Sequence, residues 1–249
     1  MIYPTIRKDA ETNTKKLAVL IDPDKTDPEN LIQLADFLKK FKADYLFVGG
    51  SLMMCNFLGE SIRILKSSID IPIIIFPGSS MQIDGQADGL LLLSLISGRN
   101  PELLIGNHVT AAPHLKESGL EIIPTGYMLI ESGKTTSVVY MSNTNPIPAD
   151  KNDIAICTAM AGEMLGLKAI YMDAGSGALN PVPASMIKNV KANIDIPLIV
   201  GGGIRSPEAA LNAWNSGADM IVIGNALESE MNIIKDICLM RDKINNVVV

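Results

Sequence analysis

Residues 197–226 read PLIVGGGIRSPEAALNAWNSGADMIVIGNA, two continuous aliphatic runs, each closed by glycine, on either side of a helix-length segment. Unbroken apolarity, rather than alternation, marks strands buried on both faces of a parallel sheet. Between the runs, Ser206 precedes Pro207 and Glu208, which places a hydroxyl at the N-cap, proline in the first turn and an acid near the positive helix end. The repeating unit is therefore strand, glycine loop, helix.

The same unit can be followed outward through the chain. Earlier aliphatic runs are KLAVLID (16–22), DYLFVGG (44–50), IPIIIFPG (71–78), DGLLLLSL (88–95), EIIPTGYMLI (121–130) and AIYMDAG (169–175), which with PLIVGGG and MIVIGNA make eight. Helix-length segments separate them, among them Pro28–Lys42, Asn100–Ser118, Asn152–Leu165 and Pro207–Ser216. After the third run, SSMQIDGQA (79–87) is short and interrupted by glycine, so the third crossover helix is expected to be reduced or irregular. Eight βα units in 249 residues match an α/β TIM (β/α)8 barrel, whose active site lies at the C-terminal ends of its strands. A doubly wound open sheet would place its glycine-rich phosphate loop after the first strand. Here that strand ends in Asp22-Pro23-Asp24-Lys25, and the glycines gather after the last three strands. No linker or low-complexity tract divides residues 1–249, which are read as a single domain.

Composition narrows the function classes. The chain is 47% apolar but only 4% aromatic, so its core is aliphatic. Lys and Arg total 21 against 27 Asp and Glu, a net charge of -6 that argues against nucleic acid as a partner. A small anion held in a local pocket remains compatible with that charge. Cys55, Cys157 and Cys238 are too widely spaced for a metal clip and fit a reducing cytoplasm. The N-terminal stretch MIYPTIRKDAETNTKK lacks the apolar segment of a secretory signal, and the longest apolar runs fall short of the roughly 20 residues that span a bilayer. A cytoplasmic protein is expected, with a peripheral membrane contact left open.

The candidate chemistry sits at the strand ends. In GGGIRSPE (201–208), three glycines let backbone N–H groups approach an anion while the following helix adds its positive end. Gly224 and Asn225 end the next strand, and loops after strands seven and eight of such a barrel commonly share one phosphate. Tight-turn glycines are the alternative for either loop alone. YMDAGSGA (171–178) adds Asp173 as an acceptor for a hydroxyl proton, Ser176 and the N–H groups around Gly175 and Gly177 for oxygens, and Tyr171 two positions earlier on the same strand face. A loop cap is the alternative role for Asp173. On the far side of the barrel, Asp22, Asp24 and Ser51 offer hard oxygen ligands suited to magnesium, with Lys25 as a point charge toward a diphosphate. Asp24 equally suits capping of the next helix. His108 and His114, six positions apart, do not share a helical face and make no metal pair.

Taken together, LIDPDK, VGGS, YMDAGSGA, VGGGIRSPE and VIGNALE, in this order and spacing, resemble the geranylgeranylglyceryl phosphate synthase family over essentially the whole chain. The AGSGA loop resembles the family's second sequence group, with archaeal and bacterial members. The resemblance implies a TIM-barrel prenyltransferase that joins the 3-hydroxyl of sn-glycerol 1-phosphate to a prenyl diphosphate, geranylgeranyl by family similarity, to make an ether-lipid precursor. It implies magnesium on Asp22 and Ser51, glycerol 1-phosphate on Tyr171, Met172, Asp173, Ala174, Gly175, Ser176, Gly177, Gly202, Gly203, Gly224 and Asn225, and Asp173 as the base. It further implies a homo-oligomer, dimer or hexamer. Two departures stand out: Asp173 replaces the family's common Glu, one methylene shorter, and Leu20 occupies a position where some relatives carry Lys.

An apolar groove for the prenyl tail is expected around Phe76 to Ile83 and strands two to four. Rival readings are another phosphate-binding barrel enzyme, an isomerase or aldolase, and a non-catalytic phosphoglycerol or prenyl-lipid binding protein. An aldolase would need a lysine inside the barrel, whereas Lys16 and Lys168 lie at strand starts, the wrong end for chemistry.

Overall fold

The computed structural model describes residues 1–54, 57–224 and 231–247. Eight strands form a closed barrel in chain order, every neighbouring pair parallel, with β8 returning to β1. They are β1 (Lys16–Ile21), β2 (Tyr45–Val48), β3 (Ile73–Ile75), β4 (Gly89–Leu95), β5 (Glu121–Leu129), β6 (Ala169–Asp173), β7 (Leu198–Gly201) and β8 (Met220–Gly224). Each falls within one of the eight aliphatic runs. The helices are α1 (Ile2–Glu11), α2 (Pro28–Phe41), α3 (Leu58–Ser68), α4 (Asn107–Ser118), α5 (Ser137–Ser142), α6 (Asn152–Met164), α7 (Ala184–Lys191), α8 (Pro207–Asn215) and α9 (Met231–Val247). None of the described helices is long and apolar enough to cross a membrane.

Continuous apolarity arises because each strand feeds two cores. Ala18, Phe47, Ile74, Leu91, Tyr127, Tyr171 and Val222 fill the barrel, while Val19, Val48, Ile75, Met172 and Ile223 pack outward against the helices. Side chains alternate between these layers, so most strand positions are buried on both faces of the sheet.

Helix boundaries follow local chemistry. Ser206 Oγ accepts from the Ala209 N–H at 3.2 Å, the cap read from sequence. The Asn100–Ser118 segment begins not as an α-helix but as a π-helical turn over Glu102–Gly106, which leads into α4. The N-terminal stretch forms α1. Its Ile2 and Ile6 enter the barrel interior, and the Glu121 carboxylate accepts from the N–H groups of Ile2 and Tyr3 at 2.5 and 2.7 Å. An acid at the positive helix end ties α1 to the start of β5, so it closes the barrel's N-terminal end.

The third crossover helix, expected to be reduced or irregular, is absent altogether. Residues 76–88 instead form a loop held by Gln82, whose Oε1 accepts from Gly78 N–H at 3.1 Å and whose Nε2 donates to the Gly50 carbonyl at 3.0 Å. Ile73, Ile75 and Leu90 stay buried beneath this loop, and Leu92 on β4 is half-buried.

Candidate active site

Strand alternation at the end of β6 sends Tyr171 and Asp173 into the barrel and Met172 into the outer layer, joined there by Ala174. Met172 and Ala174 therefore reach the site only through their backbone, and the Ala174 N–H is already donated to the Gly201 carbonyl at 3.1 Å. Asp173 is 7% exposed and holds two donors: the Tyr127 hydroxyl on Oδ2 at 2.5 Å and the Gly175 N–H on Oδ1 at 2.7 Å. Burial pushes its carboxyl above the ordinary value, against the downward pull of Tyr127 and Gly175. Burial likewise raises the Tyr127 and Tyr171 hydroxyls, with Asp173 reinforcing the shift, so both remain protonated donors. The Gly175 bond is the loop contact weighed against catalysis for Asp173, and it leaves the carboxylate in the wall of a cavity.

The glycines answer to their neighbours. Gly202 has φ +76°, and a Cβ there would lie 2.6 Å from both Asp173 Oδ1 and the Gly175 nitrogen. A Cβ on Gly201 would meet the Tyr171 hydroxyl at 2.2 Å, and one on Gly203 the Pro181 nitrogen at 2.9 Å. The triple glycine thus lets the end of β7 lie directly against the Asp173 loop. Gly175 and Gly177 also have positive φ, and Ser176 and Gly177 are exposed at the mouth. Gly224 ends β8 on the same cavity, while Asn225 lies outside the described residues.

Across the mouth, Asp22 and Ser51 line that cavity too. Asp22 Oδ1 accepts from the Asp24 N–H at 3.2 Å, Oδ2 pairs with Lys25 at 2.7 Å, and a Cβ on Gly50 would lie 3.1 Å from Oδ1. Asp24 does not cap α2: Asp27 does, accepting from Asn30 N–H at 2.9 Å, while Asp24 accepts from the Met54 N–H. A carboxylate and a hydroxyl suit magnesium, which takes much of its shell from water and phosphate. Among the described residues, no group of three or more His, Cys, Asp and Glu side chains is placed to hold a metal ion.

A second, largely apolar cavity runs beside the first, between β4, the loop after β3 and α4. Ile83, Leu90, Leu92, Ala111 and Leu115 line it, and Gly50, Ser51, Phe76, Tyr127 and Val138 are common to both cavities. Phe76 and Ile83 stand where the groove was expected. The rings of Phe76, Tyr127 and Tyr171 pack at centroid distances of 5.2 to 5.9 Å around the shared wall. Tyr127 escaped the sequence reading; the signal was an aromatic in the fifth strand, which the register sets directly opposite Tyr171. His108 lines the apolar cavity, with Nε2 3.0 Å from Ser94 Oγ, and joins no metal group with His114. Lys16 pairs with Asp9 and Asp44, and Lys168 lies over the Tyr3 ring, so both lysines belong to the end closed by α1.

The chain matches the PcrB family over residues 10–241. It is 56% identical over 222 residues to a geranylgeranylglyceryl phosphate synthase of Chitinophaga pinensis, covering 89% of this chain and 88% of that one. It is 48% identical over 246 residues to the synthase of Spirosoma linguale, covering 98% and 99%. Among solved structures, (S)-3-O-geranylgeranylglyceryl phosphate synthase from Thermoplasma acidophilum, in complex with substrate sn-glycerol-1-phosphate, superposes with a TM-score of 0.91 at 32% identity, covering 98% of this chain and 99% of that one.

Proposed function

Because the chain belongs to the PcrB family and is an enzyme of the geranylgeranylglyceryl phosphate synthase type, we propose that it alkylates the 3-hydroxyl of sn-glycerol 1-phosphate with a prenyl diphosphate. The product is an ether-lipid precursor, diphosphate is released, and geranylgeranyl is the donor favoured by the family. The observation that carries this reading is the shared wall. A polar cavity holding a buried carboxylate and a glycine cradle meets an apolar cavity across Ser51, Phe76 and Tyr127. An acceptor bearing a phosphate and a donor bearing a long hydrocarbon each find a matching surface, with their reactive ends brought together.

In this mechanism the glycine loops and the start of α8 hold the glycerol phosphate through N–H groups and the positive helix end. Asp173, oriented by Tyr127 and Gly175, removes the proton of the attacking hydroxyl as the new carbon–oxygen bond forms and the bond to diphosphate breaks. Asp22 and Ser51 would hold magnesium with the diphosphate, where the ion, when bound, offsets the charge of the leaving group. Lys25, on a flexible stem beside Asp22, adds a cation to the same side. The apolar cavity keeps water from the tail and the reacting carbon. Homo-oligomer formation and a peripheral membrane contact for product release complete the reading.

The test is incorporation of labelled glycerol 1-phosphate into organic-extractable product, using purified protein, prenyl diphosphates of graded length, and magnesium or a chelator. Extractable label that depends on both magnesium and donor is expected. No label with any donor overturns the proposal.

A further inference from the structure

The loop from β5 to α5 approaches the glycine cradle from the side opposite β7, and none of its side chains has a role above. Ser132 and Thr136 in this loop are buried, at 3% and 4% exposure, while Lys134 stands exposed between them. The buried pair anchors the loop to the Asp173 segment. The Ser132 carbonyl accepts from the Asn180 N–H at 3.0 Å, and a Cβ on Gly175 would lie only 2.4 Å from Thr136 Oγ1. Gly133 takes φ +84°, with Asn180 Nδ2 2.8 Å from where its Cβ would stand. This arrangement brings Lys134 Nζ to 3.7 Å from the position of a Cβ on Gly177, at the exposed lip of the cradle.

Charge explains why an ammonium matters there. The described walls of the polar cavity carry Asp22, Asp24 and Asp173 against Lys25 and Arg205. Lys25 is paired with Asp22, and Arg205 donates to the Ala178 carbonyl at 2.7 Å. A phosphomonoester dianion in the cradle thus meets backbone dipoles, one ammonium already paired with a carboxylate, and the Arg205 guanidinium, which keeps its charge but gives one N–H to the Ala178 carbonyl. Among the described residues, Lys134 has no carboxylate within ion-pair distance.

We propose that Lys134 recognises the phosphate of the glycerol phosphate substrate from across the Gly175–Gly177 turn, held in reach by the buried Ser132 and Thr136. The inference rests on the glycerol phosphate assignment made above and adds to it a specific cation from a different loop. An ammonium acts as a point charge on a flexible stem, so anchoring its backbone on both sides reduces the conformational entropy lost on binding.

Steady-state kinetics of the full chain test it, with Lys134→Met and Lys134→Arg compared at low and high ionic strength. Lys134→Met is expected to raise KM for glycerol phosphate about 10-fold, with kcat and KM for the prenyl diphosphate within about twofold. Lys134→Arg recovers most of the loss. Added salt raises the wild-type KM for glycerol phosphate more steeply than that of Lys134→Met, because an exposed charge is screened. The protection of the fold by glycerol phosphate against thermal unfolding falls in Lys134→Met, a readout independent of turnover. An active wild type with an unchanged glycerol phosphate KM in Lys134→Met overturns the role of Lys134 alone, as does an equal rise in both substrates' KM values. A wild type that makes no product and gains no thermal protection from glycerol phosphate overturns the underlying site assignment instead.

Discussion

The Tyr127 hydroxyl donates to Asp173 Oδ2 across 2.5 Å, a bond between adjacent strands whose register sets Tyr127 beside Tyr171 and Leu129 beside Asp173. It favours the ionised carboxylate, while burial opposes ionisation. If Asp173 acts as the base, turnover is lost as pH falls through its pKa. Tyr127→Phe removes a group that lowers that pKa, so the acid limb of the kcat profile moves to higher pH. A limb that stays in place would separate Tyr127 from the base.

Asp173→Asn keeps the volume but cannot take the proton. The expected loss in kcat is about 10²- to 10⁴-fold, the usual contribution of a positioned general base. KM for glycerol phosphate should change far less, because the glycine loops remain. Single-turnover measurement with saturating substrates separates the two effects.

At Gly202, alanine meets both a left-handed backbone and two atoms at 2.6 Å, the Asp173 carboxylate oxygen and the Gly175 nitrogen. Gly202→Ala should destabilise the fold by about 1–3 kcal/mol and displace Asp173. Thermal unfolding reads the first effect and kcat the second.

Asp22→Ala removes the carboxylate from the proposed magnesium side and releases Lys25 from its 2.7 Å pair. The magnesium concentration giving half-maximal turnover should rise while binding of glycerol phosphate in the absence of donor is preserved. A magnesium titration paired with calorimetric binding checks both.

Ala111 is 5% exposed and lines the apolar cavity. Ala111→Phe should shift preference toward shorter prenyl diphosphates without altering KM for glycerol phosphate. An unaltered donor profile would place the tail elsewhere.

Much of this protein is legible locally. Eight runs such as KLAVLI and PLIVG fill both faces of a strand, and only a sheet covered on both sides satisfies that pattern. Ser206 before Pro207 and Glu208 announces α8 because capping depends on neighbouring residues alone. The site was partly legible for the same reason, since glycines and carboxylates at strand ends must face the barrel mouth. Tyr127, Thr136 and Lys134 were not. Each lies at least 39 positions from the residue it approaches, Tyr127 from Asp173, Thr136 from Gly175 and Lys134 from Gly177, and no short-range rule predicts such a meeting. The N-terminal α1 was missed because its two inward isoleucines have meaning only against a barrel interior awaiting closure.

By itself, then, the sequence determined the number and order of βα units, an irregular third crossover and the strand ends that carry chemistry, because periodicity, capping and turn residues act over a few positions. The tertiary structure alone decided the hydrogen bond from Tyr127 to Asp173, the fit of Gly202 against that carboxylate and the union of polar and apolar cavities. Those depend on closing the barrel and on the stagger between its strands, which bring distant residues within bonding distance.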